Sequence, residues 1–142
     1  MGQYITFRIA RQVFALDATR IRALMPMHDM VRLDVPDEWI VGIAAVGGID
    51  FPVVDVRGKL GIAAGPHGRQ PCLIAVDVAT PYGPQMAGFI ADRISGLIAV
   101  RSHEIREGSI RTGGRRRRIF DPDLLVGEIQ LSGLAILSPR AS

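Results

Sequence analysis

The sequence has a single cysteine, and this shortage already excludes several kinds of stabilisation. Cys72 cannot form an internal disulfide, because the chain of 142 residues offers it no partner. It opens an apolar run, where a buried thiol behaves as a small hydrophobic side chain. No metal-ligand spacing surrounds it. We therefore expect a structural cysteine, with neither a disulfide nor a cysteine-based metal site.

Long apolar runs are also missing. The longest stretch, Ile40 to Ile49, contains three glycines and stops at Asp50. It is about half of the roughly 20 residues that a membrane-spanning helix needs. The amino-terminal residues do not show the basic segment and apolar run of a secretory signal. We therefore expect a cytoplasmic protein.

The signatures of common enzyme classes are absent from the sequence. Gly58-Lys59 lacks the upstream glycine of a phosphate-binding loop and is followed by Leu60. No H-E-x-x-H zinc motif, G-x-S-x-G nucleophile motif or cysteine pair occurs. These absences predict a protein with no catalytic site and no cofactor.

Titratable side chains are too scattered to predict a catalytic or metal cluster. His28, His67 and His103 lie in separate predicted turns. Asp50 and Asp55 are an odd number of residues apart, so on one regular strand they would point to opposite faces. We interpret both as solvated or turn carboxylates, and we predict no metal site.

Positive charge is concentrated at one place, Arg115 to Arg118, although the whole chain carries a net charge of only +3. We interpret Arg111 to Arg118 as a polar loop on a glycine hinge, and two roles remain open for it. It is a candidate anion-binding loop, formed by Arg115, Arg116, Arg117 and Arg118, which could serve a nucleic-acid-binding β-barrel. It is alternatively a solvated surface loop, which we favour because Phe120 is the only nearby aromatic side chain on which a base could stack.

Alternation of apolar and polar residues dominates what the sequence does contain. Ile5, Phe7 and Ile9 fall on one face of a predicted strand, and Val13 to Asp17 follows as its hairpin partner. Similar short strands recur along the chain with turn residues between them. This pattern predicts an all-β protein built from barrels or a sandwich.

Two hairpins and one connection organise the predicted strands. Gly42 to Val46 and Ile49 to Val56 flank Gly47-Gly48, a pair that accepts the positive φ angles of a tight turn. The glycine-rich and proline-rich segment Gly58 to Pro71 is interpreted as the connection between two lobes. A last hairpin, Leu124 to Leu131 with Leu134 to Leu137, is predicted to close the chain.

The segment Gly42 to Arg57 reads G-I-A-A-V-G-G-I-D-F-P-V-V-D-V-R. It resembles, without a gap, the pattern G-v-i-N-l-R-G-x-i-i-P-v-i-D-l-R of the CheW family. The upstream P-x-x-W-x-x-G of Pro36, Trp39 and Gly42 is similar to the family's approach to that motif, and Ala91 to Ile94 resembles its V-D-x-V signature. The likeness extends over nearly the whole chain, from Tyr4 to about Leu137.

This resemblance implies a fold of two SH3-like five-stranded β-barrel subdomains that share a core. We expect one domain over residues 1–142, with a first barrel at about 15–65 and a second at about 66–137, and Tyr4 to Ile9 as a candidate to cross between them. The implied function is that of a non-enzymatic adaptor in chemosensory signal transduction. It would link the cytoplasmic tip of a chemoreceptor to the regulatory domain of a CheA-type histidine kinase. Neither a small-molecule substrate nor nucleic acid is expected as a partner. Contact with the membrane is expected only indirectly, through receptors.

Departures from the family pattern fall on the contact residues that it implies. The family's arginine falls on Gly47 and its asparagine on Ala45, and a family glutamate falls on Ala23. Truncating one partner of a buried charge pair costs about 2–5 kcal/mol. The chain is therefore either a coupling protein with a co-evolved partner or a CheW-like regulator that has lost the standard contacts.

A set of small and apolar residues near these positions is predicted to bind the partner, with simple core packing as the alternative. The predicted partner-binding residues are Ile21, Ala23, Leu24, Gly42, Val46, Gly47 and Gly48.

Overall fold

The fold is predominantly β-strand in the computed structural model, which describes residues 2–34, 39–81 and 83–126. The strands among these residues are β1 (Gly2–Ile9), β2 (Gln12–Asp17), β3 (Ile21–Pro26), β4 (Val31–Arg32), β5 (Ile40–Val46), β6 (Ile49–Val54), β7 (Cys72–Thr80), β8 (Gly83–Ala91), β9 (Arg93–Val100), β10 (Ile105–Arg106), β11 (Ser109–Thr112) and β12 (Arg115–Ile119). Helical segments are short. They are three 3-10 turns at Ala18–Arg20, Met27–Asp29 and Ser102–Glu104, and two α-helices, α1 (Arg57–Leu60) and α2 (Pro122–Val126).

The strands form two six-stranded sheets. The first has the order β10-β11-β12-β2-β1-β9, and the second has the order β3-β7-β8-β6-β5-β4. The predicted fold class is confirmed: the protein is all-β, with two SH3-like β-barrel subdomains. Each sheet has one strand more than the expected five and includes one strand of only two residues, β10 or β4.

The two sheets divide the chain differently from the predicted barrel bounds of 15–65 and 66–137. Strands β7 and β8 join the second sheet beside β3 and β6, while β1 pairs along its length with β9 in the first sheet. The segment Gly58 to Pro71 connects β6 to β7 within one sheet, so its interpretation as a connection between lobes was wrong. Its glycine and proline content correctly indicated irregular backbone, but composition cannot show which strands a connection joins.

A cluster of four phenylalanines lies between the sheets. Phe7 and Phe14 come from the first sheet and Phe89 from the second, and Phe120 follows β12; all four are at most 2% exposed. The ring centroid of Phe7 lies 5.4 Å from that of Phe89 and 5.4 Å from that of Phe120. These contacts make one core continuous between the two subdomains, as predicted.

Helix α2 replaces the start of the predicted closing hairpin. Proline suits the first helical position, and the Asp121 carboxylate accepts the N–H of Asp123. Asp123 in turn accepts hydrogen bonds from Arg20 and from the N–H of Ala79 in β7, which fixes the helix against the second sheet. The strand predicted at 124–126 was therefore wrong, and the rest of that hairpin, 127–137, lies outside the described residues.

Within the described part of the chain, no helix is both long and apolar enough to span a bilayer.

Candidate partner-binding surface

Strand β3 lies at one edge of the second sheet and pairs there with β7. A bulge between Ile21 and Ala23 changes the faces of successive residues: Ile21 packs against the main core, whereas Ala23 packs against a second apolar cluster. Leu24 points outward, and 47% of its surface is exposed. Of the three predicted residues on this strand, Leu24 is exposed, whereas Ile21 and Ala23 are partly buried.

Gly42 and Val46 contribute to packing in the second sheet. A Cβ atom at Gly42 would lie 2.5 Å from the side chain of Met30 and 2.7 Å from the carbonyl oxygen of Val31. Glycine is therefore required there by the close approach of β4 and the preceding turn. Val46 is half-buried against the same apolar cluster as Ala23. The alternative interpretation, core packing, describes both residues better than a partner contact does.

The turn of the predicted β5–β6 hairpin is exposed. Gly47 and Gly48 have φ angles of +58° and +80°, the positive pair typical of a two-residue hairpin turn, which confirms the predicted hairpin. Nothing lies within 4 Å of a Cβ built on either residue. The next residue, Ile49, is 53% exposed and was not predicted as a contact. The β5–β6 turn is thus open, and the exposed Ile49 side chain is available for an apolar contact. The backbone of this turn favours glycine at the position where the CheW family has arginine.

An apolar groove of about 900 Å³ extends from Leu24 along the end of the second sheet. We call it the methionine groove, and it is lined by Leu24, Met25, Pro26, Met27, His28, Met30, Arg32, Arg69, Gln70, Pro71 and Cys72. Flexible thioether side chains adapt to irregular partners, which is why methionine is frequent on protein-binding surfaces. The methionines at 25, 27 and 30 were not among the predicted partner-binding residues, although their close spacing in the sequence was a usable signal.

Asp55 and Arg57, the last charged residues of the central motif, form a forked ion pair. Arg57 Nη2 lies 2.7 Å from Asp55 Oδ2, and Arg57 Nε lies 3.0 Å from Asp55 Oδ1. A further hydrogen bond, from Arg57 Nη1 to the carbonyl of Gly65, ties the following loop to the pair. Of the two interpretations of Asp55, solvated or turn carboxylate, the second describes it: its Oδ1 accepts the N–H of Arg57 at 3.1 Å, and the fork is mostly shielded from solvent.

Asp92 fastens the corner between β8 and β9 to the turn between β1 and β2. Its Oδ2 accepts the N–H of Ala10 at 2.7 Å. Its Oδ1 lies 3.4 Å from Nδ1 of His67, in the loop after α1. The hydrogen bond to Ala10 is structural in character, because it joins the β8–β9 corner to the β1–β2 turn; His67 approaches the same carboxylate without a hydrogen bond.

The Asp55–Arg57 ion pair should make the stability of the protein depend on pH. Burial alone would raise the pKa of Asp55, but the hydrogen bonds and charge of Arg57 outweigh it and lower that pKa. A carboxyl group with a lowered folded-state pKa stabilises the fold above its unfolded pKa, and this contribution is lost as the pH falls through the folded pKa. We expect Asp55→Asn to lower the free energy of unfolding by about 1–3 kcal/mol at neutral pH.

This difference should shrink as the pH approaches about 3, below the ordinary pKa of aspartate. Urea unfolding of both proteins across this range measures it. A difference that stays constant with pH would show that the Asp55 charge contributes nothing, and that the substitution acts through shape alone.

The basic segment is a hairpin and not a loop. Strands β11 and β12 pair in antiparallel fashion around Gly113-Gly114, so the predicted polar loop at Arg111 to Arg118 was wrong. Its arginines are divided by the strand period: Arg116 and Arg118 are exposed on one face, whereas Arg117 is half-buried on the other. The side chains of Arg115 to Arg118 therefore cannot act as a single cluster.

The remaining candidate groups are dispersed in the fold. Burial raises the pKa of the Cys72 thiol, as expected for a packed cysteine. His28 and His103 are exposed, whereas His67 is half-buried beside Asp92. No group of three or more His, Cys, Asp or Glu side chains within residues 2–34, 39–81 and 83–126 is arranged to hold a metal ion.

Comparison with known proteins gives concordant matches. The family model described as a CheW-like domain matches residues 3–126. Among curated relatives, the chain is 22% identical to the chemotaxis protein CheW of Thermotoga maritima over 89% of each chain. It is 23% identical to CheW of Helicobacter pylori and 16% identical to CheW of Klebsiella aerogenes, and it spans only about 60% of the length of these two relatives.

A solved structure is similar over almost the whole chain. The scaffolding protein CheW of Thermoanaerobacter tengcongensis superposes with a TM-score of 0.78 at 20% identity, covering 91% of this chain and 94% of that one. At this identity the likeness shows the fold.

Proposed function

The chain belongs to the family of CheW-like domains, and from this membership we propose that it is a non-enzymatic coupling protein of a chemosensory pathway. In this role it bridges the cytoplasmic tip of a chemoreceptor and the regulatory domain of a CheA-type histidine kinase. It works in the cytoplasm through protein contacts, without a cofactor or a small-molecule substrate, and meets the membrane only through receptors.

The observation that best supports this proposal is the apolar surface at the edge of the second sheet. It consists of exposed Leu24 and the adjoining methionine groove, with Arg32 and Arg69 among its lining residues. An edge strand has unpaired backbone groups that favour contact with another β-barrel. Exposed apolar patches with polar borders are typical of protein interaction sites. We propose that the kinase's regulatory domain docks here.

Replacing Leu24 with arginine tests the proposal. We expect the unmodified protein to bind the regulatory domain of a CheA-type kinase from the same organism in calorimetric titration. Leu24→Arg should weaken that binding by at least tenfold, or about 1.4 kcal/mol, because it puts a charge into an apolar contact. Ile21 and Val46 are unsuitable for this test, since both pack against buried clusters.

Leu124→Arg is the matched control, because Leu124 is exposed and lies on α2, outside the groove. It should leave the affinity unchanged, and both variants should unfold at the same urea concentration as the unmodified protein. Equal weakening by the two variants, or an unchanged affinity of Leu24→Arg, would overturn the assignment of this surface.

A second function has an observation in its favour. Gly47 and Ala23 replace an arginine and a glutamate of the family pattern, and the Gly47 backbone has a positive φ that disfavours the larger residue. A CheW-like regulator that does not make the standard contacts would fit these replacements. Failure of the unmodified protein to bind the kinase domain at high concentration would overturn the coupling role and favour this one.

A further inference from the structure

Four arginines share one face of the ribbon formed by β10, β11 and β12. Ser109 of the middle strand β11 pairs with Arg106 of β10 on one side and with Arg118 of β12 on the other. Arg111, also in β11, pairs with Arg116 of β12. Directly opposed residues of antiparallel strands project from the same face. We call this surface, formed by Arg106, Arg111, Arg116 and Arg118, the arginine face.

The other face of the ribbon is turned toward the protein. Ile110 is fully buried in a small apolar cluster, and Ile105 and Ile119 pack against that cluster. All four residues of the arginine face are exposed. The ribbon is thus amphipathic, with apolar packing on one side and a concentrated positive charge on the other.

Negative charge near the arginine face does not neutralise it. None of the ion pairs among the described residues includes any of its four members, and Arg116 Nε donates only to the neutral hydroxyl of Ser109, at 3.1 Å. A cleft of about 680 Å³ beside them contains Glu104 and Glu107, but these two carboxylates offset only part of the positive charge of the four arginines. Like charges placed directly opposite each other on a sheet destabilise it, so an anionic partner would relieve this repulsion.

The surroundings favour carboxylates of a protein over phosphates as that partner. Single-stranded nucleic acid needs exposed aromatic rings for stacking, and Phe120, which follows β12, is only 2% exposed. Insertion into a lipid surface needs exposed apolar side chains, and the large exposed ones of the described residues all lie on other elements. Arg116 and Arg118 are two residues apart, the spacing at which side chains of an extended segment point to one side.

We propose that the arginine face binds an acidic segment of a partner protein in extended conformation, with arginine guanidinium groups forking onto its carboxylates. The forked geometry of arginine matches a carboxylate in two parallel hydrogen bonds. This surface lies on the first sheet, whereas Leu24 and the methionine groove lie on the second. The inference therefore does not rest on the coupling role.

Fluorescence anisotropy with a labelled peptide of alternating glutamate and serine tests the inference. We expect saturable binding that weakens steeply as salt is added, because exposed charges are screened. Arg111→Glu combined with Arg116→Glu should weaken binding by at least about tenfold. Arg111→Gln with Arg116→Gln removes the same charges without reversal and should also weaken it, in case the reversed pair disturbs the hairpin.

The control is Arg11→Glu combined with Arg93→Glu, which makes the same change in net charge at exposed positions outside both the β10–β12 ribbon and the methionine groove. Retained binding by this control supports the arginine face. An equal loss in the control would overturn the site, because only net charge would then matter. Tighter binding of oligothymidylate or of phosphatidylglycerol vesicles than of the peptide, dependent on Arg111 and Arg116, would overturn the assignment to an acidic protein segment.

Discussion

Replacing Phe7 with alanine is expected to lower the free energy of unfolding by about 3–5 kcal/mol, the usual cost of removing a buried phenylalanine. Phe7 is fully buried, and its ring contacts those of Phe14, Phe89 and Phe120. Because Phe89 belongs to the other sheet, the cavity would open where the two subdomains meet. Urea unfolding followed by Trp39 fluorescence and by far-ultraviolet circular dichroism measures the loss.

Leu124→Ala provides the comparison, since Leu124 is 74% exposed and its truncation should change stability by no more than about 0.5 kcal/mol. The two spectroscopic probes should report the same midpoint in each protein, because one core serves both sheets. Separate midpoints, or a loss below about 1 kcal/mol for Phe7→Ala, would contradict a shared core.

Gly42→Ala is expected to destabilise the protein by about 2–3 kcal/mol, toward the upper end of the cost of overpacking. The added methyl group would meet both the Met30 side chain and the carbonyl oxygen of Val31. Met30 could change rotamer, but the carbonyl belongs to β4, which pairs with β5 at this point. The backbone must therefore move, and thermal or urea unfolding would detect the change.

Gly65→Ala is the matched control for this substitution. Nothing lies within 4 Å of a Cβ at Gly65, and its φ is not in the left-handed region, so we expect little or no destabilisation. If Gly42→Ala kept full stability and lost binding to the kinase domain, Gly42 would belong to the contact surface and not to the packing of β4 on β5.

Local features of the fold could be predicted because they depend on neighbouring residues. The positive φ angles required at Gly47-Gly48 identified the hairpin, and the alternation around Phe7 and Ile9 identified a core strand. The hairpin at Arg111 to Arg118 was missed, because its outward residues are charged and few apolar residues mark its inner face. Which strands become neighbours, such as β6 with β8, depends on long-range packing that no local pattern encodes.

The candidate surface was predictable in its location but not in its composition. The family resemblance placed predicted partner contacts in β3 and in the β5–β6 hairpin, and both elements carry exposed apolar residues. The bulge between Ile21 and Ala23 determines which side chains face outward. The order of apolar and charged residues in the sequence does not reveal where a bulge occurs. For the same reason Leu24 could not be distinguished from Ile21 before the register was known.

The pairing of β1 with β9 has a consequence for how the polypeptide becomes ordered. The first sheet combines residues near the amino terminus with strands that begin at Arg93. Its inner strand β1 pairs locally with β2, but its second neighbour, β9, is synthesised only after most of the chain exists. Folding of this kind has a high contact order and is slow compared with that of proteins dominated by local contacts. During synthesis on the ribosome, apolar side chains of β1 such as Phe7 remain exposed to solvent until β9 emerges. A fragment ending near residue 65 would keep that surface exposed, and we expect it to aggregate and not to fold as half of the protein.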